Sequence, residues 1–137
     1  MRLVLDTNIF VSALLLQHSA PAELVELWMA GRFELISAEA QIEEIARVTR
    51  YPKLRARLRP ALAGRLVNQL RTRATLVVKL PTVDVSPDPF DNYLLAMAQA
   101  GTANLLISGD KRDLLALATH HGTRIVTVSA AIELLTG

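Results

Sequence analysis

Leu3-Val4-Leu5 runs straight into Asp6-Thr7-Asn8, and the chain turns apolar again at Ile9. An apolar run of that length, ending in polar residues, reads as a short buried strand that stops at Asp6 with a helix just beyond. Short apolar runs then alternate with helical spacings to the end. Ile9 to Leu16 reads as a helix. Pro21 suits a first helical position, and Ala22 to Ala30 continue as a second helix stopped by Gly31. Phe33 to Ile36 is a second strand, and Ser37 is placed to cap a helix running to about Thr49, which Tyr51-Pro52 breaks. Lys53 to Arg73 is helical, in two pieces split at Pro60. Thr75 to Val78 makes a weak third strand, and Pro81 to Pro89 a polar connection. Phe90 to Ala100 is a helix ended by Gly101. Asn104 to Ile107 and Arg124 to Val128 are strands, with a helix from Leu114 to Thr119 between them and a last helix capped by Ser129.

Strands separated by helices imply right-handed crossovers and a parallel sheet covered on both faces, an α/β fold. A length of 137 residues suits one domain spanning 1–137. Absence of cysteine excludes disulfides and thiolate metal sites and fits a reducing compartment. No signal-peptide pattern and no long uncharged apolar stretch is present, so the expectation is a cytoplasmic protein without a membrane span.

Net charge is +2, but it is unevenly spread. No acid occurs between Ile45 and Val83, a span holding Arg47, Arg50, Lys53, Arg55, Arg57, Arg59, Arg65, Arg71, Arg73 and Lys79. A basic segment between acidic flanks suggests a polyanionic partner, although a solvated helical face carries the same pattern. Aromatic residues make up only 4% of the chain, which gives no support for a base-stacking platform.

Four acids stand out against this background. In parallel α/β sheets ligands bind beyond the carboxyl ends of strands, which is where Asp6 falls; a helix cap alone needs no acid at the end of a buried strand. In the helix after Ser37, Glu39 suits the helix dipole, and Glu43 has Arg47 four residues on. Glu44 has no such partner and sits at the margin of the stripe Ile42, Ile45, Val48. In Asp88-Pro89-Phe90-Asp91, Asp88 is a good N-cap. Asp91 fits both the third position of a capping box and the head of the core-facing stripe Asp91, Leu94, Leu95, Ala98, where a carboxylate is costly unless paired. Ser108-Gly109-Asp110-Lys111-Arg112-Asp113 again puts acids past a strand end; Asp110 is nearer the strand, and Asp113 can complete a capping box. Carboxylates crowded at one sheet edge repel unless a hard cation sits among them, and an all-oxygen donor set suits Mg²⁺ or Mn²⁺. Such ions activate water and orient a phosphate for in-line displacement. His18, His120 and His121 lack the spacing of a helical zinc pair and read as structural or surface residues, His120-His121 near a helix end.

Leu3 to Asn8, Glu43-Glu44-Ile45-Ala46-Arg47-Val48, Pro87 to Leu95, and Ile107 to Asp110 with Asp113-Leu114-Leu115 together resemble PIN domains, in order and over nearly the whole chain. The greatest likeness is to the VapC-like toxin branch of toxin–antitoxin pairs. The resemblance implies a three-layer α/β/α sandwich with a central parallel sheet of four to five strands, and Mg²⁺- or Mn²⁺-dependent cleavage of RNA. It implies Asp6, Glu44, Asp91 and Asp110 as the catalytic and metal-holding acids, Asn8 and Ser108 as supporting polar residues, and Asp88 and Asp113 as additional acids of the motif. It also implies a homodimer held inactive by a cognate antitoxin.

The leading expectation is therefore a metal-dependent ribonuclease, with Asp6, Asp91 and Glu44 holding the ion and Asp110 aiding a second ion or the attacking water. The basic residues from Arg47 to Arg73, above all Arg47, Arg50, Lys53 and Arg55, would guide the RNA backbone, a salt-sensitive and sequence-independent contribution. The alternative is a non-catalytic RNA- or partner-binding module of the same fold. An aspartate-nucleophile phosphatase would want a second acid two residues after Asp6, where this chain has Asn8.

Overall fold

The computed structural model describes residues 1–109 and 112–137. Its strands are β1 (Arg2–Leu5), β2 (Glu34–Ser37), β3 (Thr75–Leu76), β4 (Leu105–Ser108), β5 (Thr119–His120) and β6 (Thr123–Thr127). Its helices are α1 (Thr7–Leu15), α2 (Ala20–Met29), α3 (Glu39–Val48), α4 (Pro52–Arg55), α5 (Pro60–Arg73), α6 (Pro89–Ala100), α7 (Arg112–Leu117) and α8 (Val128–Thr136).

One six-stranded sheet runs in the order β3-β2-β1-β4-β6-β5, parallel throughout except for β5, which pairs antiparallel with β6. The order reverses between β1 and β4: the chain steps outward from β1 to β2 and β3, then returns to the other side of β1. A sheet of this kind opens its ligand crevice at that reversal, outside the carboxyl ends of the two strands.

Strand pleating divides the core. Leu3 and Leu5 of β1, Leu35 of β2, and Leu105 and Ile107 of β4 pack on one face with Ile9 and Phe10 of α1, Leu24 and Trp28 of α2, Ile42 and Ile45 of α3, and Leu66 and Leu70 of α5. Val4, Ile36 and Leu106, one residue out of phase, pack on the other face with Leu94, Leu95, Met97 and Ala98 of α6 and Leu114 of α7. Continuous apolar strands are what burial on both faces requires. The expected α/β/α layering is present.

Several local expectations are corrected. Ser37 is the last residue of β2, and α3 starts after Ala38 with no side-chain cap. Ser129 lies inside α8, which is capped by the Thr127 hydroxyl accepting from the Ala130 N–H at 3.2 Å. The third strand covers only Thr75–Leu76, and Val78 is exposed. The sheet gains the short edge strand β5, where a helix had been expected to continue to Thr119. His121 (φ 48°) and Gly122 (φ 84°) both take the left-handed backbone that a tight two-residue hairpin turn needs. His120 and His121 thus sit in a β-hairpin rather than at a helix end. The His120 Nε2 lies 3.1 Å from the Gln99 Oε1 on α6. Burial, then the neighbouring His121 charge, lowers the pKa of His120.

Gly101 ends α6 where the helix comes down on β2. A Cβ there would lie 2.6 Å from Cγ2 and 3.2 Å from Cγ1 of Ile36, a buried β-branched side chain with little freedom to move. Gly101→Ala is expected to destabilise the fold by about 1–3 kcal/mol, as overpacking does. Urea denaturation measures it, and an unchanged midpoint would contradict the close approach.

Candidate active site

β1 ends at the sheet reversal, and Asp6 follows it. The Asp6 N–H donates to the Ile107 carbonyl at 3.0 Å, so Asp6 is the last backbone group tied to β4. Its side chain caps α1 by accepting from the Asn8 N–H at 3.2 Å, and the residue is only 3% exposed. Both the cap and the position at the strand end therefore hold for Asp6. Ser108 ends β4 in the next register position; it is fully buried, and its Oγ has no hydrogen-bond partner among the described residues. Pleating places Asp6 on the side of Val4 and Ser108 on the side of Leu106, the face that α6 covers.

Glu44 reaches the same place from α3. A cleft of about 260 Å³ is lined by Asp6, Thr7, Asn8, Glu44, Arg47, Val48, Tyr51 and Phe90. Arg47 was expected to pair with Glu43 on the solvent face. The ion pairs among the described residues are instead Arg2–Glu34 at 3.7 Å and Arg71–Glu39 at 2.6 Å, and Arg47 lines the cleft. Glu44 also lies near α6: its charge, with that of Glu43, adds to the burial that raises the Tyr93 phenol above its ordinary pKa, against the opposing backbone of Gln41. On the far side of Asp6, a cleft of about 690 Å³ is lined by Asp6, Asn8 and Ser12 together with Gly109, Thr127 and Ser129.

Asp91 stands in the first turn of α6 and is 1% exposed. Its Oδ2 accepts from the Ser86 Oγ at 3.0 Å rather than closing a capping box. Asn92 holds the preceding loop in place: its Oδ1 accepts from the N–H groups of Val85 at 3.1 Å and Ser86 at 2.9 Å, and its Nδ2 donates to the Ser86 carbonyl at 2.8 Å. Asp88 caps α6 through the Phe90 N–H at 2.9 Å. Asp113 is exposed in the first turn of α7. Asp110 lies outside the described residues.

The structure thus brings Asp6, Asn8, Glu44 and Arg47 to one cleft and buries Asp91 at the head of α6, outside that cleft's lining. Among the described residues no group of three His, Asp or Glu side chains is arranged to hold a metal. Two carboxylates with an amide oxygen nonetheless suit Mg²⁺, which is commonly bound through one or two carboxylates and completed by water and substrate phosphate oxygens. The donor chemistry at Asp6, Glu44 and Asn8 fits a hard cation.

The basic span divides in two. Arg71 pairs with Glu39, and Arg73 donates to the Met29 carbonyl at 3.0 Å and lies 5.6 Å over the Trp28 ring, so both are structural. Arg50 and Arg55 line a further cleft between α3, α4 and α5, floored by Leu58, Ala63 and Val67. Arg47 near the end of α3 and Arg50 just past its C-cap connect this cleft to the first. Lys53 is exposed on α4 and lines neither.

Sequence reasoning passed over Gln41, Ser86 and Asn92. Gln41 had a signal of its own, being a polar residue beside Ile42 and Ile45 on the buried side of α3. Asn92 had none beyond sitting next to Asp91, and Ser86, five residues ahead of Asp91, had none.

A family model described as PIN domain matches residues 2–112. No curated protein and no solved structure matches the chain closely enough to bear on it.

Gln41 joins the three elements that meet at the site. Its Nε2 donates to the Leu5 carbonyl at 2.8 Å, and its Oε1 accepts from the Ser37 Oγ at 2.6 Å, all in the buried interior. Gln41→Leu leaves both partners buried without it, and stability is expected to fall by about 1–3 kcal/mol. Thermal melting checks this; a melting temperature equal to wild type would mean the tie is not needed.

Proposed function

Because this chain belongs to the PIN domain family, we propose that it is a metal-dependent ribonuclease that cleaves RNA phosphodiesters at the cleft of Asp6 and Glu44. PIN domains are in general nucleases. The observation that carries the finer reading is that one cleft holds two carboxylates from distant parts of the chain together with an arginine that has no carboxylate partner among the described residues.

Asp6 and Glu44, with the Asn8 amide, would hold Mg²⁺ or Mn²⁺. Bound there, such an ion makes a coordinated water more acidic and draws charge from the phosphodiester. Arg47 offsets phosphate charge beside the carboxylates and fixes the scissile group. Arg50 and Arg55 receive the strand as it leaves along α3, with Lys53 adding to the field on the outer side. Ser86 holds Asp91 in a single orientation, so that its carboxylate can serve as an acid of the site behind the cleft. Asp110 is proposed as the fourth acid, with Ser108, Asp88 and Asp113 as supporting residues; for Asp88 the support is positional, since it fixes the start of α6 just ahead of Asp91.

The toxin reading rests on the motif likeness: a homodimer whose cognate antitoxin covers the active cleft. Expression with and without the neighbouring upstream gene tests it, and growth arrest relieved by that gene is the expected result. No helix of the described residues is long and apolar enough to cross a membrane.

Asp6→Asn keeps an equally good N-cap and removes the charge. It is expected to stay folded and to lose at least about a hundredfold in RNA cleavage with Mg²⁺ or Mn²⁺, roughly 2.7 kcal/mol of transition-state stabilisation. Cleavage equal to wild type by a folded variant would end the ribonuclease reading. Binding confined to the folded state raises stability by about 2.7 kcal/mol when the ion is at a hundred times its Kd. Mn²⁺ should accordingly raise the wild-type melting temperature and raise that of Glu44→Gln less; no rise in wild type at millimolar Mn²⁺ would favour a non-catalytic module.

A further inference from the structure

The chain has three phenylalanines, two tyrosines and one tryptophan. Phe10, Trp28 and Phe33 are buried, and Tyr93 is half-buried. The remaining two, Tyr51 at 48% and Phe90 at 53% exposure, both line the cleft of Asp6, Glu44 and Arg47. Single exposed aromatics are ordinary on protein surfaces. Here every exposed aromatic ring of the described residues falls on one small cleft, and that cleft also carries the carboxylates.

The two rings arrive from opposite faces of the sheet. Tyr51 follows α3, which packs on the face of Leu3 and Leu5, whereas Phe90 begins α6, which packs on the face of Val4 and Leu106. Both are held by stiff backbone. Tyr51 precedes Pro52 and takes the extended conformation that position favours (φ −60°, ψ 135°). Phe90 follows Pro89, and its N–H is fixed by the Asp88 carboxylate. A backbone fixed at both positions limits where each ring can be presented, which lowers the ordering cost when a flat partner stacks on it.

We propose that Tyr51 and Phe90 are the two base-stacking residues of the site, one holding the nucleobase on each side of the scissile phosphate. This rests on the ribonuclease reading and deepens it. Arg47 and the carboxylates take the phosphate at the centre, and the rings take the uncharged bases to either side. Stacking uses the π-face that every base has, so this pair tolerates any base and sets position along the strand rather than sequence. With aromatic residues only 4% of the chain, the proposal asks for no extended platform, only these two rings.

The test begins by mapping the bond that the wild-type protein cleaves in a short RNA oligonucleotide with Mg²⁺. Two further oligonucleotides each carry an abasic nucleotide, one just before that bond and one just after. With wild type, each abasic substrate should show a KM raised about tenfold, in the range measured for loss of one base–aromatic stack. Tyr51→Leu should raise KM on the intact RNA by a similar factor and abolish the penalty at one abasic position; Phe90→Leu should do the same at the other. Tyr51→Phe and Phe90→Tyr should behave as wild type, and all four variants should melt like the parent. Abasic penalties that persist undiminished in both leucine variants would overturn the proposal, because the two losses would then be independent. If wild type cleaves no RNA at the mapping step, the ribonuclease reading fails, and the stacking proposal fails with it; cleavage with independent losses sinks the stacking proposal alone.

Discussion

The hydrogen bond from the Asp6 backbone to Ile107 ends the pairing of β1 with β4, and the site depends on where it falls. Strands in a parallel sheet cannot slip by one residue without exchanging the two apolar faces. Leu3 and Leu5 belong to one core, Val4 to the other, and each face is filled by its own helices. Burial on both sides therefore fixes the register, and the register fixes Asp6 at the point where the sheet reverses. A charged residue one position earlier would be inside the core; one position later, it would be carried off on α1.

Glu44 is brought to that point by side-chain bonding rather than by the sheet. Gln41, one helical turn earlier, binds the carbonyl just ahead of Asp6 and the last residue of β2 together. This sets the height of α3 against β1, and Glu44 and Arg47 follow at successive positions along the cleft. Charge does the sorting thereafter. Arginines toward the end of α5 are consumed by Glu39, Met29 and Trp28, while Arg47 lines the cleft of Asp6 and Glu44 without an ion pair among the described residues, and Arg50 and Arg55 line a cleft with no acid in its wall. A long basic run thus resolves into structural residues and a short track beside the carboxylates.

The strand–helix alternation was legible because apolar runs of three or four residues, broken by polar turns, are unambiguous when buried on both faces. What sequence could not supply was local competition. Ser37 and Ser129 are good caps by type, but the hydroxyl of Ser37 goes to Gln41, and Thr127 reaches the free N–H groups of α8 first. The β5–β6 hairpin was missed because its turn is built from His121-Gly122 rather than from the Asn-Gly or Asp-Gly pair that signals a two-residue hairpin. Asp6 and Glu44, which line one cleft, were singled out by asking which acids lacked an ordinary reason to be where they are. The same question, asked of polar side chains in general, would have found Gln41. Tyr51 and Phe90 could not be found that way, since exposure at a shared cleft is a property of the fold alone.

The proposed function turns on a cation that Asp6 and Glu44, far apart in sequence, would hold between them. The most direct measurement is anomalous diffraction from crystals of the wild-type protein grown with Mn²⁺. The expected result is a peak in the cleft with carboxylate oxygens of both Asp6 and Glu44 at about 2.1 Å or joined to it through one water. A fully occupied peak elsewhere on the protein, with that cleft holding only solvent, would contradict it.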